Sequence, residues 1–244
     1  MKKAILLLHG FATNKSDFDP IIPYLEKLYD HIEIENLPGH DVLHLGGFTA
    51  KKTISFVERQ MKKLEKEYDA IDIIGFSMGG ALATHLASHH KVNRLVLLAP
   101  ANLYINANYP ITRVKKFIDY LKARFLSDKE ENSKEEIEEF NSRILEDKEV
   151  LEITKKFILP NYNLRTIKEF RDVIKYCRQN IGPIDAKTLV IMGDIDQLVP
   201  ESSDTYLSDY CKYKISLTFK NVSHMMLRSK KKDKIIEQII NFLS

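Results

Sequence analysis

The sequence predicts an α/β fold: a mostly parallel sheet of about six strands with helices on both faces, and a small helical cap inserted after the fourth strand. Three observations predict it. Short apolar runs alternate with longer amphipathic ones along most of the chain. The runs around Ile71, Leu95 and Leu189 lack the in-and-out alternation of a half-wet sheet, as central parallel strands covered on both faces should. Between the runs ending near Leu98 and starting near Leu189 lie about 90 residues, far more than one crossover helix needs.

Strands are expected at Ala4–Leu8, Ile32–Glu35, Ile71–Ile74, Arg94–Leu98, Leu189–Met192 and Ile215–Phe219, each rich in Ile, Leu or Val. Helices are expected at Asp17–Tyr29, Ala50–Tyr68, Met78–His89, Leu164–Gln179, Ser202–Cys211 and Lys231–Leu243. Two apolar stripes at helical spacing lie in the long interval, one through Val114, Phe117, Leu121 and Phe125, the other through Ile137, Phe140 and Ile144. These assign 101–162 to a cap, with 1–100 and 163–244 as the core. The charged run Lys129–Glu139 reads as the solvated face of that cap, and Lys230-Lys231-Lys232 as the opening of a surface helix.

Composition excludes several function classes. Net charge is +3, from 37 basic against 34 acidic residues, so nothing points to nucleic acid. The apolar run Ala4–Leu8 is too short for a signal-peptide core, and no stretch approaches a membrane span. A cytoplasmic protein without stable membrane insertion is expected, its oligomeric state open between monomer and homodimer. The two cysteines, Cys177 and Cys211, fall in helix-like stretches and read as packing residues of a reducing compartment.

The chemistry centres on Gly75-Phe76-Ser77-Met78-Gly79-Gly80. This is G-x-S-x-G between a buried apolar run and a small-residue helix, Ala81 to Ala87. A strand turning that sharply into a helix forces the serine into a strained conformation and lifts its hydroxyl above the sheet. Side chains two residues either side would collide, so Gly75 and Gly79 meet a steric demand.

A serine hydroxyl needs an imidazole to take its proton. Of eight histidines, His85, His89 and His90 follow Ser77 on its own helix and point away or lie too far along it. His31, His40 and His44 fall in the second-strand region, where His40 and His44 at best line the mouth. His9 reads as a structural histidine holding the loop after the first strand. His224 sits in the loop between the last strand and the last helix, so it is the expected base. To orient it, Gly193-Asp194-Ile195-Asp196-Gln197-Leu198-Val199-Pro200 offers two carboxylates after the fifth strand. The G-x-x-D-x-x-V-P spacing puts Asp196 in the loop, while Asp194 is better placed to cap the turn. The chain order is Ser, Asp, His.

Taken together, Leu6-Leu7-Leu8-His9-Gly10-Phe11, Pro38-Gly39-His40, the serine motif, the aspartate loop and Ser223-His224 make the chain resemble small bacterial carboxylesterases and monoacylglycerol-lipase-like members of the α/β-hydrolase superfamily. The resemblance covers nearly the full length. It implies an α/β-hydrolase fold and a catalytic triad on Ser77, Asp196 and His224. It also implies oxyanion-hole amides on Phe11 and Met78, a small cap, and no cofactor or metal. The chain departs from larger members in starting directly at the histidine-glycine strand. The implied activity is hydrolysis of small-molecule carboxylic esters with small or medium acyl chains, monoacylglycerols among them, and Phe117, Leu121 and Phe125 either wall the acyl pocket or pack the cap against the core. The same triad also serves thioesterases, amidases and carbon–carbon-bond hydrolases, since a fold does not name a substrate. A non-catalytic binding protein on this fold is the remaining reading, and it predicts a missing or mispaired triad member.

Overall fold

The structure is a computed structural model, and it describes residues 2–40, 47–103, 164–196 and 198–244. The expected cap, with Phe117, Leu121, Phe125 and the charged run Lys129–Glu139, lies outside the described residues apart from 101–103, as does His44.

Six strands form one sheet: β1 (Lys3–Leu8), β2 (His31–Ile34), β3 (Ala70–Phe76), β4 (Arg94–Leu98), β5 (Ile184–Gly193) and β6 (Cys211–Phe219). Their order is β2-β1-β3-β4-β5-β6, and every pairing is parallel. The helices are α1 (Ile22–Leu25), α2 (Ala50–Glu67), α3 (Met78–His89), α4 (Leu164–Gln179), α5 (Ser202–Leu207) and α6 (Lys232–Leu243). The strand exits after β1, β3, β4, β5 and β6 therefore all open at the same end of the sheet. In doubly wound sheets that end is where sites assemble.

Burial follows the apolar pattern. Ile73 and Ile74 of β3, Leu95 to Leu98 of β4, and Val190 and Ile191 of β5 are all inaccessible to solvent, so the continuous runs are strands covered on both faces. At the start of β3 the buried Asp72 carboxylate accepts hydrogen bonds from Tyr29 Oη (2.6 Å), Asn93 Nδ2 (2.9 Å) and the Arg94 amide (2.8 Å). Two segments, the one leading into β2 and the one leading into β4, are thereby fastened to one carboxylate of β3. Burial and the Asp72 charge together push the Tyr29 phenol upward, which keeps it a donor.

Two expected helices are corrected. The span Asp17–Tyr29 is a 3₁₀ turn at Lys15–Phe18 followed by the one-turn α1. Pro20 and Pro23 explain this, because proline is tolerated in a first turn and breaks a helix interior. The span Ser202–Cys211 ends as a helix at Leu207, and Cys211 opens β6, opposite Ile184 of β5. Tertiary pairing with the long β5 overrides the local pattern there. Both thiols are free, and burial pushes Cys177 up to about 12, so it is a packing residue and a poor nucleophile. No helix among the described residues is long and apolar enough to cross a membrane.

Candidate active site

Ser77 sits at the bend between β3 and α3 with φ 53° and ψ −117°. A non-glycine residue there carries strain of about 1–3 kcal/mol, held only because its surroundings over-determine it. Those surroundings are visible. The Ser77 amide donates to the Leu98 carbonyl (3.0 Å), and its own carbonyl accepts from the Ala101 amide (2.9 Å) in the loop after β4. A methyl group on Gly79 would collide with the Leu8 carbonyl oxygen, and one on Gly75 with the Gly79 carbonyl, so helix, bend and β1 meet backbone to backbone.

His224 approaches from the β6 exit. Its Nδ1–H donates to Asp196 Oδ2 at 2.7 Å, because an ionised carboxylate can only accept. That tautomer leaves Nε2 as the acceptor for the Ser77 hydroxyl at 2.9 Å. The Asp196 side chain is 1% exposed, and its other oxygen accepts from the Leu198 (2.8 Å) and Val199 (3.1 Å) amides, which fix the carboxylate plane. The imidazole ring packs against Phe76 at 5.0 Å, and Met225, Met226 and Leu227 anchor the loop behind it in the core. All three expected residues, Ser77, Asp196 and His224, are thus brought together. Asp194 points elsewhere: it is exposed and accepts weakly from the Val222 amide (3.4 Å), stitching the β5 exit to the β6 exit.

The loop after β1 lies against the serine. A methyl group at Gly10 would stand 3.2 Å from Ser77 Cβ, so Phe11, the next residue, flanks Ser77. His9 braces this loop: Nδ1–H donates to the Gly10 carbonyl (2.9 Å), and Nε2 accepts from the Leu37 amide (2.8 Å). With both nitrogens engaged, His9 has the structural role expected of it. The Phe11 ring packs against Phe48 (5.5 Å), Phe170 (4.9 Å) and His40 (5.9 Å). Met78 opens α3, and the first amides of a helix have no intrahelical acceptor.

His40 does not line an open mouth. It is 1% exposed within the aromatic cluster, and burial together with the nearby His9 pushes its imidazole down to about 3. His85 and His90 instead share the Glu58 carboxylate of α2, at 3.1 Å each, well away from the bend. Among the described residues no cluster of three or more His, Cys, Asp or Glu is arranged to hold a metal ion.

One residue escaped the sequence reading. The Ser203 hydroxyl on α5, fully buried, donates to the Pro100 carbonyl (2.6 Å) and accepts from the Asn102 (3.1 Å) and Leu103 (3.3 Å) amides. It clamps the β4 exit loop, whose Ala101 amide holds the Ser77 carbonyl, to the helix that follows the aspartate loop. A serine at the start of a short helix carries no signal of such a role, because its partners lie about 100 residues away.

The family described as serine aminopeptidase, S33 (Hydrolase_4), matches residues 51–231, a span that contains Ser77, Asp196 and His224. The chain belongs to this family. Among curated proteins, this Hydrolase_4 chain is 25% identical to the pimeloyl-[acyl-carrier protein] methyl ester esterase of Neisseria meningitidis serogroup C, over 91% of the chain and 86% of that protein. It is 32% identical to human monoacylglycerol lipase ABHD6, over 47% of the chain and 36% of that protein. Among solved structures, one from a study of the metagenome-derived lipolytic enzymes LipS and LipT superposes with a TM-score of 0.70 at 16% identity, covering 99% of this chain and 93% of that one. The monoacylglycerol lipase of Paleococcus ferrophilus gives 0.68 at 15% identity, covering 98% and 93%. The chain is an α/β-hydrolase-superfamily enzyme of a hydrolase family with esterase and lipase relatives.

Proposed function

We propose that this protein hydrolyses carboxylic esters of small or medium acyl chain through an acyl-enzyme on Ser77. The observation that carries the reading is the continuous relay from Ser77 Oγ through His224 to Asp196, at 2.9 and 2.7 Å, built on a bend that presents the hydroxyl in a strained backbone.

In the forward half, His224 Nε2 takes the Ser77 proton as Oγ attacks the ester carbonyl carbon. Asp196 holds the ring in the tautomer that makes this possible and stabilises the imidazolium that forms. The oxygen of the tetrahedral intermediate is received by the backbone amides of Phe11 and Met78, each supplying roughly 3 kcal/mol by the measure of other hydrolases. His224 then protonates the departing alcohol. In the second half, water replaces the alcohol, His224 takes its proton, and the acid leaves from Ser77. Phe117, Leu121 and Phe125 remain the proposed walls of the acyl pocket, in a cap spanning 101–162. The ester-cleaving activities named for the meningococcal and human relatives support an ester over a peptide substrate.

Labelling with a fluorophosphonate probe tests the nucleophile. The wild type should be labelled, and Ser77→Ala should lose both labelling and turnover. Retained labelling in Ser77→Ala refutes the assignment. A panel of p-nitrophenyl esters, acyl-thioesters and anilides at matched acyl length tests the leaving group, and faster thioester or anilide cleavage would displace the ester reading.

A further inference from the structure

The two edges of the sheet are unlike. The β2 edge is four residues long and carries His31 and Glu33, so it is blunted by brevity and charge. The other edge, β6, runs nine residues from Cys211 to Phe219 and contains no proline. Among the described residues it pairs with β5 alone. The register shift in that pairing places the extra residue on β5, leaving β6 regular. Nine residues offer an unpaired strand roughly 30 Å long.

Of the two lysines that could guard such an edge, Lys212 near its start is exposed beside Asp185 (3.8 Å), and the central one is turned elsewhere. Lys214 is only 14% exposed and holds Asp204 of α5 at 2.8 Å, and Ser216 Oγ donates to the same carboxylate at 2.9 Å. The opposite face carries Tyr213 and Ile215 in the middle of the strand, 55% and 54% exposed. A long, regular strand with exposed apolar residues at its centre is a template for another strand.

We infer that this edge joins two copies of the chain, β6 against β6 in antiparallel fashion about a two-fold axis through Ile215. The strand's own sequence selects the partner and the register. A two-fold normal to the sheet sets residues of like facing opposite one another, so the axis passes through a residue. Centred on Lys214, it sets Lys214 against Lys214; centred on Tyr213, it sets Lys212 against Lys214. Like charges directly opposite are destabilising. Centred on Ile215, every residue of the strand is matched: Ile215 meets Ile215, Tyr213 meets Leu217, Cys211 meets Phe219, Lys214 meets Ser216 and Lys212 meets Thr218. Apolar residues meet apolar ones, each lysine meets a hydroxyl, and each Lys214 keeps its own Asp204. A register centred on Ser216 also avoids facing lysines but leaves Cys211 and Lys212 unpaired. The result is a continuous sheet across the dimer, with the two Ser77 sites opening at opposite ends.

Sedimentation velocity on the full chain tests this, from low micromolar to about 200 µM, a range that covers modest edge-strand affinities. The wild type should pass from monomer to dimer within it. Ile215→Lys, which sets two lysines face to face at the axis, should stay monomeric throughout, as should Tyr213→Lys. Both should keep the wild-type far-UV circular dichroism and probe labelling of Ser77, since both positions are solvent-exposed in the monomer. Thr218→Glu, opposite Lys212, should tighten the dimer about threefold. A wild type that remains monomeric at the highest concentration overturns the inference. So does a dimer that both lysine variants leave intact.

Discussion

Replacing Asp196 with asparagine changes one oxygen to an NH2 group, and the structure sets what that change costs. The Asp196 oxygen held by the Leu198 and Val199 amides (2.8 and 3.1 Å) can be kept by the asparagine carbonyl. The loop should hold its shape. The amide nitrogen then falls where Oδ2 stood, 2.7 Å from His224 Nδ1. Two donors cannot share that distance, so the imidazole adopts the tautomer with its proton on Nε2. That proton points at the Ser77 hydroxyl, 2.9 Å away, and the base is lost. The expected fall in kcat is roughly 10³ to 10⁴, or about 4–5.5 kcal/mol of transition-state stabilisation. KM for a p-nitrophenyl ester should move less than about threefold, because no substrate contact is altered. The assay is steady-state hydrolysis at neutral pH, with Asp194→Asn alongside as a control expected to lose little. A loss under tenfold in Asp196→Asn, or the larger loss in Asp194→Asn, would show that Asp196 does not set the tautomer.

Two further outcomes are expected. Asp72→Ala should cost about 1–3 kcal/mol in urea denaturation, since the buried Tyr29 hydroxyl loses its acceptor while the exposed Asn93 can turn to water; a cost below about 0.5 kcal/mol would mean that water replaces the carboxylate. Stability should also fall in acid. The His40 imidazole is lowered from 6.5 to about 3 in the folded chain, so the unfolded chain takes up the proton first. Its contribution is complete above pH 6.5 and is lost as the pH falls toward 3, amounting to about 2 kcal/mol by pH 5. His85, lowered chiefly by burial, acts in the same direction. Urea midpoints measured from pH 7 to pH 5 should therefore decline in the wild type and decline less in His40→Phe; equal slopes would locate the effect in another group.

What could be read along the chain was local. The alternation of apolar runs gave the six strands. Glycines two residues before and after Ser77 marked the bend because a side chain there has nowhere to go; the first signal is hydrophobic, the second steric, and both act within a few residues. The limits of the reading were also local. Prolines 20 and 23 sit inside an otherwise helical apolar pattern, and the pattern outweighed them. Cys211 followed a helical period until its pairing with β5 made it a strand.

The sequence by itself determined the strand–helix rhythm, the strained serine and the chain order Ser, Asp, His. Only the tertiary structure decided the distances at which Asp196, His224 and Ser77 meet, that Ser203 braces the loop beside Ser77, and that β6 forms, among the described residues, a long bare edge. The physical reason is distance along the chain. The His224 contacts join residues 28 and 147 positions apart, and the Ser203 clamp spans about 100. No local propensity encodes such contacts. They exist because the order β2-β1-β3-β4-β5-β6 brings five strand exits to one end of the sheet.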